Sequence, residues 1–230
     1  MRLLRVLVVA TSFAALLAQP SAAQEGRPFH DAWFWGVRGG VLNYSSDADP
    51  ALGPYDGTDN AAAPMVGIDW LITRSKGGLY LGVDQSFFSS AAFYKRPYAA
   101  GDPAALLRNL RRVSLAGMLF PMQRPQTHPY LGFGFSLNQI NDVALERSLA
   151  LPALQTAALD SLQAKKVTIA PMVIAGVQQR LPGFSVFAQG SGTWLQKGYF
   201  LRNLAPKHYL QWTLEGGIRY NVGSSIDRQR

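Results

Sequence analysis

Apolar side chains recur at every second position in eight separate stretches of this chain, and a backbone places such a set on one face only as a β-strand. Trp33, Trp35, Val37 and Val41 alternate with Gly36, Arg38 and Gly40. Val66, Ile68, Trp70 and Ile72 alternate with Gly67, Asp69 and Thr73, and Leu79, Leu81, Val83 and Phe87 with Tyr80, Gly82, Asp84 and Ser86. The pattern returns at Val113, Leu115 and Leu119 against Arg112, Ser114 and Ala116, then at Leu131, Phe133, Phe135 and Leu137 against Tyr130, Gly132, Gly134 and Ser136. Residues 167–180 carry it least cleanly, with Val173, Ala175 and Val177 as the apolar set; 184–195 set Val186, Ala188 and Trp194 against Ser185, Gln189, Ser191 and Thr193. The last stretch is the clearest: Leu210, Trp212, Leu214, Ile218, Tyr220 and Val222 oppose Gln211, Thr213, Glu215, Arg219 and Asn221.

Strands of ten or more residues are long for a soluble sandwich, where about 5–6 is usual, and suit a tilted bilayer crossing, which takes about 9–11. The connections alternate in length: 45–62, 89–106, 140–166 and 197–208 are long, 74–77 and 181–183 short, and 121–129 intermediate. Transmembrane barrels show this asymmetry, with tight periplasmic turns and extended outer loops. Closure follows from bilayer physics, because an open sheet edge leaves N–H and C=O groups unpaired in hydrocarbon. The expected fold is therefore an all-β, eight-stranded antiparallel up-and-down transmembrane barrel. Charged residues make up only 16% of the chain, too few for a soluble surface of this size, and there is no cysteine to build a disulfide framework, thiolate metal site or Cys nucleophile.

Residues 1–23 read as a secretory signal peptide: Arg2 and Arg5 precede an apolar run from Val6 to Ala18, and small residues follow through Ala23. That run is too short for a membrane helix. Cleavage removes two of the 22 basic residues and no acid, so the formal charge falls from +8 to +6. The barrel domain is expected over 24–222, with 223–230 as a short periplasmic tail.

In a lipid-embedded barrel the apolar parity faces out and the polar parity lines the lumen. The polar parity carries Gly, Ser and Thr with Arg38, Asp69, Asp84, Arg112, Glu215 and Arg219, three charges of each sign. A balanced set in a narrow interior implies a cross-barrel ion-pair network, with Arg38 facing Glu215 or Arg219 across the closing seam, and a lumen that is plugged. Solvated surface charges are the other reading. Aromatics on the apolar parity gather near strand ends, Trp33, Trp35, Trp70 and Tyr220 toward the short turns and Phe87, Trp194 and Trp212 toward the long loops, as two interfacial girdles would.

On these strands, this alternation and these loops, residues 30–222 resemble the small eight-stranded outer-membrane barrels, the family that includes the membrane domain of outer membrane protein A. The resemblance implies an exported protein of the outer membrane, inserted by the barrel-assembly machinery. Glu215, Gly217, Tyr220 and Val222 fall where that machinery's signal has a polar residue, a glycine, an aromatic and a terminal aromatic; Val222 departs from the last, and the chain runs on to Arg230.

Chemistry is sparse. His30, His128 and His208 are scattered over both ends of the barrel, His128 in an expected periplasmic turn. Lipid-modifying barrels need a His beside a Ser on the outer side; His208 has the height but no Ser within two residues, which leaves distant Ser191 as its candidate partner. Asp47, Asp49, Asp56 and Asp59 crowd the first long loop without an EF-hand pattern, and Gly53-Pro54 and Asp56-Gly57 read as turns, so no metal site is assigned and no cofactor is expected. Basic residues collect on the long-loop side, among them Lys95, Arg96, Arg108, Arg111 and Lys197, where the phosphates of lipopolysaccharide would meet them; solvated rim charge is the alternative, and nucleic acid is not an expected partner of an exported barrel. Within 142–165, Leu145, Leu149, Leu151, Leu154, Ala158 and Leu162 lie at helical spacing and Pro152 starts a second short helix, giving an amphipathic pair that caps the mouth, lies on the lipid or binds a surface partner. The expectation is a structural or surface-interaction protein of the outer membrane and not an enzyme. A lipid-modifying enzyme, a narrow pore and a lipocalin-like carrier remain open as alternatives.

Overall fold

The computed structural model of the chain describes residues 29, 31–46, 59–93, 104–122, 126–145, 151–182, 184–195 and 210–224. Eight strands form one closed antiparallel barrel in sequence order: β1 (Ala32–Ser46), β2 (Asp59–Arg74), β3 (Gly77–Phe93), β4 (Ala104–Leu119), β5 (Thr127–Leu145), β6 (Val167–Leu181), β7 (Phe184–Trp194) and β8 (Leu210–Ser224). Closure is by β1 on β8, with Val37 opposite Ile218 and Arg38 opposite Gly217. Among the described residues one helix, α1 (Pro152–Ala164), lies in the connection between β5 and β6.

The parities fall as the bilayer argument requires. Trp35, Ile68 and Leu214 are about half exposed on the outer surface, while Arg38, Asp69 and Glu215 are buried inside. The outer row of β4 runs Leu119, Leu115, Val113, then Arg111, so its apolar stretch ends toward the long-loop end at a cation. Among the described strand residues, no Asp, Glu, Lys or Arg faces outward between Arg74 at the short-turn end and Arg111 at the other. Near the short turns Trp35 stacks on Trp70 with ring centroids 5.4 Å apart, Trp33 meets Trp70 edge-on at 5.3 Å, and Tyr220 is the register partner of Trp35. Phe87, Trp194 and Trp212 stand exposed toward the other end.

The lumen departs from the sequence expectation in one respect: it is not lined by small polar residues and charges alone. At the long-loop end Leu42, Met65, Phe88, Leu107, Leu110 and Ile140 point inward and pack together, with Leu162 of α1 seated on them. At the short-turn end Phe34, Leu71, Tyr80, Met118, Phe120 and Tyr130 form a second apolar cluster closed from below by Phe29. Thr73 Oγ1 ties that end to the chain before β1, donating to the Phe29 carbonyl and accepting from the Ala32 N–H at 3.2 Å. An eight-stranded interior is filled by side chains, and away from the charges the cheapest filling is apolar.

Three further expectations are corrected. His128 is not in a turn; it lies in β5, 2% exposed, its ring stacked on Phe29 at 3.7 Å. The helical pair over 142–165 is a single described helix, because residues up to Leu145 continue β5 and pair with β4 as far as Ala105↔Leu145. The last strand extends through Ser224, which pairs with Ala32, past the expected boundary at 222. Residues 1–23, read above as a signal peptide, lie outside the described residues, as do His30, His208, Asp47, Asp49, Asp56, Lys95, Arg96, Lys197 and the residues beyond Ser224.

Candidate functional site

Between the two apolar clusters the six charged side chains of the polar parity meet in one layer. Arg38 and Asp84 occupy the same register line on β1 and β3, separated by Gly67 of β2, and Arg112 of β4 is the direct partner of Asp84. Glycine is what lets them meet. A Cβ on Gly67 would run into the Asp84 carboxylate and approach Arg38 Nε to 3.2 Å, and one on Gly82 would displace the Arg38 guanidinium.

Asp84 is clamped from both sides. Arg38 Nε donates to its Oδ1 at 2.6 Å and Arg112 Nε to its Oδ2 at 3.0 Å. Arg112 also donates through Nη2 to Glu215 Oε1 at 2.6 Å and through Nη1 to Ser191 Oγ at 3.0 Å. Glu215 lies 3.3 Å from Arg38 Nη1 across the β1–β8 seam, and its carboxylate accepts from Thr213 Oγ1 and from Gln189 Nε2 at 2.9 Å. Of the two seam partners expected for Arg38, Glu215 is the one reached; Arg219 turns to Asp69 instead.

Arg219 is fully buried and holds Asp69 in a two-pronged pair, Nε to Oδ1 at 3.1 Å and Nη2 to Oδ2 at 2.9 Å. Its Nη1 donates to Gln178 Oε1 at 2.9 Å, and its guanidinium lies 3.8 Å from the Phe187 ring centroid, with Tyr80 and Tyr130 on its other sides. A planar cation held in a fork and stacked on aromatics is a role Lys does not reproduce. Tyr130 donates to Gln189 Oε1 at 2.9 Å, linking the two halves of the layer. Gln189, Tyr80 and Tyr130 sit on the parity that the sequence assigns to the lumen; Phe187 and Gln178 were not singled out, and the same odd and even counting along β7 and β6 finds them.

The other assigned residues are placed as follows. Gly217 is inward, where a Cβ would press on the Val37 carbonyl and come within 2.8 Å of the Phe187 ring, while Tyr220 and Val222 face outward and exposed. Arg108 and Arg111 are exposed on β4, Arg111 between Gln85 and Gln139 and Arg108 opposite Asp142. Ser191 bonds Thr213 Oγ1 at 2.7 Å besides accepting from Arg112, so its hydroxyl is engaged inside the layer.

No family model matches the chain, and no curated protein sequence does. Solved structures similar to it include the N-terminal β-barrel domain of Pseudomonas aeruginosa OprF, at 12% identity over 83% of this chain and 98% of that one with a TM-score of 0.45. Neisserial surface protein A is similar at 13% identity, 82% and 95% coverage and TM-score 0.48, and the Pseudomonas aeruginosa outer membrane protein OprG at 12%, 85% and 98%, and 0.47.

Proposed function

We propose that this chain is a bacterial outer-membrane barrel whose lumen is closed, acting as a structural or surface-interaction protein without catalysis, exported by its N-terminal leader and inserted by the barrel-assembly machinery. The observation that carries the membrane reading is the outer surface: a belt of exposed Trp, Phe, Leu, Ile and Val runs round all eight strands with no charge in it, far beyond the few hundred Å² of contiguous apolar surface that soluble monomers tolerate. Water would drive such barrels together; acyl chains match them. Among the described residues no helix is long and apolar enough to cross a membrane, and the strands supply the crossing.

Support for a closed lumen comes from the stacking of three layers, apolar, charged and apolar, in an interior that side chains already fill. The expected outcome in planar bilayers is no stable single-channel step from purified, heat-modifiable protein. Reproducible conductance steps would overturn the closed lumen while leaving the barrel intact. Extraction into buffer without detergent would overturn the membrane reading itself.

A further inference from the structure

The outer surface carries one feature that a uniform lipid coat does not require. Between β5 and β7 a groove of about 330 Å³ opens outward, walled by Phe133 and Phe135 on one side and Trp194 on the other, with Pro171 and Val173 of β6 as its floor. Its origin is local. The outward row of β6 presents the short side chains Pro171, Val173 and Ala175 beside an aromatic pair and a tryptophan, so a valley is left between two ridges. The β6–β7 ladder begins at Met172↔Thr193, which places Pro171, lacking an N–H, just above the paired region where its missing donor is tolerated.

The groove runs from mid-barrel toward the long-loop end, where Trp194 stands in the aromatic girdle. Cations stand on the same outer face one strand beyond its β5 wall, on β4. Leu115 of β4 is the register partner of Phe135, and Arg111 lies four residues further up, about 13 Å by strand rise, with Arg108 beyond it. Both arginines are exposed on the same outer face. An apolar slot with a pair of guanidinium groups two strands to the side of its floor, toward the long-loop end, is complementary to a broad molecule with several hydrocarbon tails and an anionic head.

We propose that the groove seats one acyl chain of a phosphorylated lipid of the outer leaflet, of the lipid A type, whose phosphate is held by Arg108 and Arg111. The proposal rests on the membrane reading above and names a specific lipid position on it. Guanidinium forks bind phosphate through paired charge-assisted hydrogen bonds, and aromatic walls gain dispersion contact with a chain lying between them.

The test uses the full chain in phosphatidylcholine nanodiscs containing a minor fraction of either diphosphoryl lipid A or the same lipid A without its phosphates, with lipid retained per barrel read by native mass spectrometry after release. The wild type should keep one diphosphoryl lipid A. Val173→Phe, which fills the valley and leaves both arginines, and the double variant Arg108→Gln/Arg111→Gln should each lower retention about tenfold, and dephosphorylated lipid on the wild type should behave like the double variant. Retention unchanged by Val173→Phe overturns the chain seat, and equal retention of the two lipids overturns the phosphate site. Heat-modifiable mobility verifies each barrel; if Val173→Phe does not fold, Trp194→Ala removes one wall from an exposed position and carries the same expectation. A heat-modifiable barrel indifferent to all of these changes refutes this proposal alone, whereas a chain soluble without detergent refutes the membrane reading beneath it.

Discussion

Arg112 shows how much of the interior depends on single side chains. It bridges Asp84 and Glu215 and also binds Ser191, with its side chain 4% exposed. Removing one partner from a buried pair leaves an uncompensated charge in low dielectric, which costs about 3–5 kcal/mol. Arg112→Met should therefore lower unfolding free energy by about that amount in urea titrations followed by tryptophan fluorescence in lipid vesicles, and Arg112→Lys should recover only part, since one ammonium cannot fork to both carboxylates. A loss below about 1 kcal/mol would show the layer to be solvated, as exposed pairs are. The identity of these six charges was legible in the sequence, because strand parity sends Arg38, Asp69, Asp84, Arg112, Glu215 and Arg219 inward and their numbers balance. Their pairing was not legible. Which carboxylate Arg219 reaches depends on strand tilt and on the Phe187 ring beside it, and neither is written in a linear spacing.

Among the elements, the strands follow from their alternation and α1 does not follow from its own sequence signals. Its N-cap, Leu151, makes no side-chain cap hydrogen bond, its first turn has no acid and its last turn no base; a proline at its start is the one favourable terminal feature. A 13-residue helix with those ends is marginal alone, so tertiary packing holds it. Leu162, 1% exposed, and Ala158 are the buried residues of the helix, while Leu151 and Leu154 remain outside. Leu162→Ala should cost about 2–4 kcal/mol of local docking, read as faster tryptic cleavage at Lys165 and Lys166 with the barrel still heat-modifiable. Cleavage at the wild-type rate would mean that the helix is not anchored through Leu162. Helical spacing over 142–165 misled at Leu145 because β4 offers that stretch a backbone ladder: pairing on that side satisfies the N–H and C=O of alternate residues, and the same leucine spacing serves either form. The apolar layers of the lumen were hidden for a related reason. Leu42, Met65, Leu110 and Ile140 break the polar parity near strand ends, where alternation alone does not distinguish a lumen cap from a fraying strand.

For the whole molecule the decisive property is that its surface is greasier than much of its centre, and that ordering makes a prediction no soluble barrel shares. A charge introduced on the outer face should be costly in proportion to its depth in hydrocarbon: about 2–4 kcal/mol for Arg at the midplane, falling to about 0–1 near the interfaces. Ile68 sits near the middle of β2, opposite Val37, and is 51% exposed; Leu119 is the last residue of β4 beside the short turns and is 55% exposed. By exposure the two are equivalent, so in water Ile68→Arg and Leu119→Arg would both be nearly neutral and would improve solubility. In a bilayer they separate. Ile68→Arg should lose the larger amount and Leu119→Arg little or nothing, measured as folding free energy into lipid vesicles, with heat-modifiable mobility tracking the folded fraction. Equal, small effects at both positions would mean that the belt faces water, and the apolar exterior would then have to be covered by another protein and not by lipid.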